Sequence, residues 1–170
     1  MPIEIREATD ADVPALSALF AELYRPHADA LPRIYRRAVD CHAVADFLLG
    51  EMAREGAAVF VAEAGGAVAG YAAVRVFAAP DTPVHLPVLR AEVGTLVVGA
   101  AFRRRGVGEA LMGRAHAWAA EHGAGEAELL VAEFNAGAIG LYEKLGYETA
   151  YRRMVRPLPA WGEEDGAERP

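Results

Sequence analysis

Apolar and charged residues alternate through Ile3-Glu4-Ile5-Arg6-Glu7, the period of a short, half-buried strand. Thr9, followed three residues later by Asp12, has the form of a capping box in which Asp replaces the usual Glu or Gln. The period then changes. Val13, Leu16, Leu19, Phe20 and Leu23 recur at helical spacing, which predicts a helix with one apolar face, Pro14 in its first turn and Pro26 closing it. Residues 25–39 contain His27, Pro32, Tyr35 and several arginines and read as a loop with a short helical turn. Val44, Phe47, Leu48 and Met52 form the inward face of a second helix predicted over 42–55, with Gly56 as its left-handed stop.

Two strand patterns, 57–64 and 67–77, flank Gly65-Gly66, a two-residue link suited to the positive φ angles of a primed hairpin turn. Pro80, Pro83 and Pro87 make 78–90 an ordered loop, since proline cannot donate to a central ladder. Strand character resumes over 91–98. A helix over 107–121 stopped near Gly123, a strand over 126–131, a helix over 135–145 stopped by Gly146 and a last strand over 147–155 complete the chain. The order β-α-α-β-β-β-α-β-α-β suits neither an all-parallel nor an all-antiparallel sheet. It predicts an α+β, three-layer α/β/α sandwich around a mixed sheet.

Composition narrows this picture. With 170 residues, 54% hydrophobic and 24% charged, the chain is read as a single domain over 1–157, followed by a tail over 158–170 rich in Glu, Gly and Pro. Seventeen basic residues against 24 acidic ones give a net charge of −7, which argues against bulk nucleic-acid binding. Cys41 is the only cysteine, so neither an internal disulfide nor a thiolate zinc cluster forms, and no metal site is expected. The N-terminus lacks a basic, apolar leader and no later apolar run is long enough for a membrane span, so a soluble cytoplasmic protein is expected.

The chemistry concentrates in Val98-Gly99-Ala100-Ala101-Phe102-Arg103-Arg104-Arg105-Gly106-Val107-Gly108-Glu109. A strand, a turn and a basic Gly-x-Gly start to an amphipathic helix describe an anion site, because the first helical N–H groups lack intrahelical partners and the dipole adds positive charge. The bland alternative is a tight turn whose arginines are simply solvated. A Walker A loop is excluded because Glu109, not Lys, follows Gly108. A dinucleotide fingerprint fits poorly, since Leu111 stands where its third small residue belongs.

Arg103-x-x-Gly106-x-Gly108 resembles the Arg/Gln-x-x-Gly-x-Gly/Ala signature of the GNAT (N-acetyltransferase) superfamily. The preceding strand 92–98 and the later Asn135-x-x-Ala138-x-x-Leu141-Tyr142-Glu143-Lys144-Leu145-Gly146-Tyr147 resemble its other hallmarks, in the right order, and the likeness covers nearly all of 3–156. The resemblance implies a mostly antiparallel sheet splayed at a cleft that binds acetyl-CoA as co-substrate. It places the backbone of Leu96, Val97 and Val98 along the pantetheine arm and Arg103, Arg104, Arg105, Gly106, Val107, Gly108 and Glu109 around the pyrophosphate. Asn135 would hold the pantetheine end or serve as a helix N-cap. Tyr142 would protonate the departing thiolate, or be a plain core aromatic.

An ammonium acceptor must lose a proton before it attacks, so a base is needed near the cleft. Glu92 is the first candidate, on the reasoning that its even-numbered strand face is shared with Leu96; a solvent-facing charge is the alternative. Glu133 and His85 are the other candidates, His27 is placed along the acceptor site and His116 is read as structural or exposed. The resemblance places acceptor recognition in 25–39 and 78–90, with Tyr24, His27, Arg33, Tyr35, Arg36, Arg37, Asp81 and His85; the alternative for the arginines is a solvated face. The implied activity is transfer of acetyl to a primary amine of a small molecule or peptide by direct attack; the competing reading is a non-catalytic acyl-CoA sensor. Acceptor choice resides in the chain's own loops or in a partner subunit of a homodimer, with no nucleic-acid or membrane partner expected.

Overall fold

The computed structural model describes residues 2–38, 40–80, 82–156 and 158. Strand β1 (Ile3–Glu7) leads through a 3-10 turn (Asp10–Asp12) into α1 (Val13–Ala30), and then come α2 (Cys41–Met52), β2 (Ala57–Ala64), β3 (Ala67–Ala78), β4 (Leu89–Val98), α3 (Val107–Glu121), β5 (Glu126–Glu128) and α4 (Ala136–Lys144). The capping box forms between Thr9 and Asp12, with Thr9 N–H donating to Asp12 Oδ2 at 2.7 Å. Arg6 then clamps the buried Asp12 with two hydrogen bonds of 2.8 Å, tying the first strand to the start of α1.

The strands form one sheet in the order β1-β2-β3-β4-β5. The first three pairings are antiparallel and β4–β5 is parallel, giving the expected mixed α+β sheet. Gly65 (φ 62°) and Gly66 (φ 78°) supply the hairpin turn between β2 and β3. One core lies under α3, with Phe60, Val74, Val93, Leu111 and Met112; the other lies under α1 and α2, with Leu16, Leu48, Val61, Tyr71 and Val97. The sheet is therefore the middle of three layers.

Four expectations need correction. Pro26 does not close α1, which runs another turn to Ala30; the missing N–H costs one helical hydrogen bond, and the buried Ala28 anchors the extension. Phe47 is not inward: it is 49% exposed and lies against Phe20, at 5.7 Å between ring centroids. Helix α2 ends at Met52, so Gly56 turns the chain into β2 instead of capping the helix. Residues 148–156 form no strand, and Tyr151, Met154 and Val155 stand exposed: strand propensity is overridden where the side chains find nothing to pack against. Apart from Leu158, the expected tail lies outside the described residues. Among those residues no helix is long and apolar enough to cross a membrane.

Candidate active site

Strand β4 builds the site because its two edges are treated differently. One edge pairs with β3 along its whole length, whereas the other pairs with β5 only at Arg90, Ala91 and Glu92. Beyond Glu92 and Glu128 the parallel strands part, so the second edge of β4 over 93–98 is left without a strand partner among the described residues. Unpaired backbone groups on a strand edge are a template for another extended chain. Leu96, Val97 and Val98 lie on this edge. Gly70 on β3 allows the approach: a Cβ there would lie 2.4 Å from the Val97 carbonyl oxygen.

At the end of β4 the chain enters α3 through left-handed backbone at Arg104 (φ 61°) and Gly106 (φ 84°). The N–H groups of Arg104, Arg105, Gly106, Val107, Gly108 and Glu109 make no hydrogen bond among the described residues, and Gly106 provides no side-chain cap. A Cβ at Gly106 would meet nothing within 4 Å, so the space beside these donors is open. Donors converging at a helix N-terminus fit a phosphate group. The first turn of α3 also meets the rest of the site: a Cβ at Gly108 would lie 3.2 Å from Leu141 and 3.7 Å from Val98.

The three arginines divide. Arg103 turns back, donating to Val98 O at 2.9 Å and to Glu22 at 2.6 Å, so it fastens the loop to β4 and α1. Arg104 and Arg105 are exposed and make no ion pair among the described residues. The Glu109 side chain receives a 2.5 Å bond from Lys144, which holds α4 against α3.

Asn135 caps α4, its side chain accepting from Ala138 N–H at 3.2 Å. Tyr142 lies on α4 and packs against the α3-side core. Burial raises its phenol above the ordinary range, so it stays protonated through neutral pH. Tyr147 lies edge-on to it at 5.7 Å and shares a 2.7 Å hydrogen bond with His116 Nε2. Burial, and then Tyr142, push the Tyr147 phenol up to about 12, while burial lowers His116, leaving a neutral imidazole to accept the Tyr147 proton. His116 thus supports Tyr147, the residue beside Tyr142.

Glu92 is where the sequence argument fails geometrically. Gly94 is an extra residue in β4, because Thr95 pairs with Ala73 whereas Val93 pairs with Val74. The bulge inverts the faces: Ala91 and Val93 before it, and Leu96 and Val98 after it, all join the α3-side core. Glu92 therefore faces the α1–α2 side, opposite Leu96, where it accepts from Arg75 Nε at 2.6 Å. Glu51, Arg54 and Phe47 line the same pocket.

Among the other candidates, His85 lies in an exposed loop 2.5 Å from Thr82 Oγ1, Glu133 is exposed, and Asp81 is outside the described residues. Sequence reasoning missed Gly70, Tyr71, Arg75 and Phe134. Only Gly70 carried a signal, an isolated glycine inside a strand pattern.

The chain matches the Acetyltransferase (GNAT) family over residues 16–147. The chain belongs to the GNAT acetyltransferase family. Solved structures share its fold. A mutant BH1408 protein from Bacillus halodurans has a TM-score of 0.84 at 21% identity, covering 92% of this chain and 99% of that one. An aminoglycoside N-acetyltransferase, AAC(6')-Iy, in complex with CoA has a TM-score of 0.74 at 18% identity, covering 92% and 95%. A GCN5-related N-acetyltransferase from Ralstonia eutropha JMP134 has a TM-score of 0.68 at 26% identity, covering 92% and 99%. No curated protein is a significant match by sequence. As a GNAT protein the chain has the acyl-CoA N-acyltransferase architecture, and acetyl transfer is the family's general activity. Among the described residues no three His, Cys, Asp or Glu side chains could together hold a metal ion.

Proposed function

We propose that the protein transfers the acetyl group of acetyl-CoA to a primary amine of a small molecule or peptide, by direct attack with both substrates bound. The observation that carries this reading is the run of unpartnered N–H groups from Arg104 to Glu109 beside the unpaired edge of β4. Acetyl-CoA, when bound, supplies the activated thioester. The β4 edge at Leu96, Val97 and Val98 receives the pantetheine amides, and the α3 start receives the pyrophosphate, with Arg104 and Arg105 adding charge. Arg103 positions that loop through Glu22 and Val98. Asn135 fixes the start of α4 and thereby the placement of Tyr142, whose protonated hydroxyl donates to the thiolate as the C–S bond breaks. Glu92 is on the acceptor side of β4, and acting as base would require that Arg75 release it.

The test is a screen for free thiol release from acetyl-CoA with polyamines, amino acids, arylalkylamines, aminoglycosides and short peptides. Release that depends on one class of amine is the expected result. Tight acetyl-CoA binding with no release across the panel would instead favour a non-catalytic acyl-CoA sensor.

A further inference from the structure

On the face of the sheet opposite α3, aromatic rings run from α1 to the far lip of the splay. Tyr24 lies 5.6 Å from His27 and 5.5 Å from Tyr35, His27 lies 5.4 Å from Tyr35, and Phe134 completes the run 5.0 Å from His27. Phe134 belongs to the segment after β5 and directly precedes Asn135, the cap of the helix that carries Tyr142. At the near lip, Tyr71 pairs in register with Val97 of β4 and shares its core. The Tyr71 hydroxyl is fully buried and has no hydrogen-bond partner among the described residues. Burial, and then the neighbouring Tyr24, raise its phenol, so it is a neutral donor still lacking an acceptor.

His27 is held in a defined tautomer. Its Nδ1 lies 2.9 Å from the Leu23 carbonyl oxygen, which can only accept, so Nδ1 carries the hydrogen and Nε2 of the neutral ring carries the lone pair. The titratable groups in ring contact with it are the phenols Tyr24 and Tyr35. The extension of α1 past Pro26 is what brings His27 to this wall.

We infer that this wall seats the acceptor, that it takes a primary amine carried on an aromatic or other apolar body, and that His27 Nε2 removes the ammonium proton. The inference rests on the acetyl-transfer reading and names its acceptor class and base. Ring faces attract the ammonium group and stack on an apolar body, whereas a polyhydroxylated amine would leave its hydroxyl groups unpaired against them. In the reaction, one proton passes from the ammonium nitrogen to His27 Nε2 and on to solvent. The freed lone pair forms the C–N bond, the C–S bond breaks, and the sulfur takes the Tyr142 proton. The second nitrogen proton, lost as the amide forms, restores Tyr142 through solvent, so one proton is released per acetyl transferred.

The experiment follows thiol release with 2-phenylethylamine and with kanamycin, using the full chain. We expect kcat/KM for 2-phenylethylamine to be higher by about tenfold or more, and His27→Ala to lower kcat by about 100-fold. Rescue of His27→Ala by added imidazoles of equal size should rise with their basicity, which a purely structural role would not produce. Preference for kanamycin, rescue independent of basicity, or full turnover in His27→Ala while Glu92→Gln loses it would each overturn the inference. Binding is read separately, by 15N NMR of the His27 ring during titration with 2-phenylethylamine in the presence of CoA. A saturable shift supports the seat and its absence overturns it. No thiol release with any amine, with acetyl-CoA still bound, is failure of the acetyl-transfer reading instead, and the titration then judges the seat alone.

Discussion

The two sides of β4 offer a ligand different kinds of group. On the α3 side the groups offered are backbone N–H donors, contributed by consecutive residues from Arg104 to Glu109 and exposed by glycine conformation. On the α1–α2 side the groups are side chains drawn from α1, the link after it, β3 and the segment beyond β5: Tyr24 and His27, Tyr35, Tyr71, and Phe134. A site made of backbone tolerates almost any side chain and favours glycine where φ is positive. A site made of side chains can change its ligand without changing the fold. One cofactor and many acceptors can therefore share a single architecture.

Gly106 is the position where the two sides separate most sharply. Gly106→Val puts a branched side chain at φ 84° and into the open space beside the donors, so acetyl-CoA affinity should fall by about 100-fold or more by calorimetry. The His27 ring resonances should stay in place, since the acceptor wall is on the other face. Tyr142→Phe should lower kcat by about 100-fold while leaving the acetyl-CoA Kd within about twofold; unchanged turnover would remove Tyr142 as the acid.

Gly70→Ala tests the β3–β4 contact that both faces share. The new Cβ would lie 2.4 Å from a backbone oxygen that cannot rotate away, and a loss of about 2–3 kcal/mol in denaturant unfolding is expected, with both ligands weakened. An unaltered midpoint would show that the strands can shift apart at no cost.

The smallest effect concerns the clamp remote from both faces. Hydrogen bonds from Arg6 hold the buried Asp12 carboxyl far below its ordinary value. The unfolded chain therefore binds this proton first as pH falls. The stabilisation is whole above the unfolded carboxyl pKa of about 3.9 and drains as pH drops through the lower native value. Because Arg6 is about one-third exposed, Asp12→Asn should cost only about 1–2 kcal/mol at pH 7. It should also flatten the unfolding midpoint below about pH 4, while acetyl-CoA binding is retained.

The proposed cofactor side is legible in the sequence because the features it rests on are local. The strand before it, the Gly-x-Gly start of α3, the stop at Gly123 and the Asn135 cap lie within one continuous stretch and obey short-range rules. The proposed acceptor side is only partly legible. Tyr24, His27 and Tyr35 are named from the sequence, but nothing in their spacing brings Phe134 against His27 or Tyr71 near Tyr24.

What the sequence determined by itself was most of the elements up to α4, the bare donors at the start of α3 and the helix carrying Tyr142, since hydrophobic period, capping and positive φ are properties of neighbouring residues. Only the tertiary structure decided which way β4 presents Glu92. A single extra residue at Gly94 inverts the strand's faces, and that is fixed by register with β3, not by anything in the local sequence. The same holds for Pro26, where burial of Ala28 carries α1 onward despite a residue that locally favours ending it. Register and burial are settled between segments far apart in the chain, and on the acceptor face they govern which side chains meet.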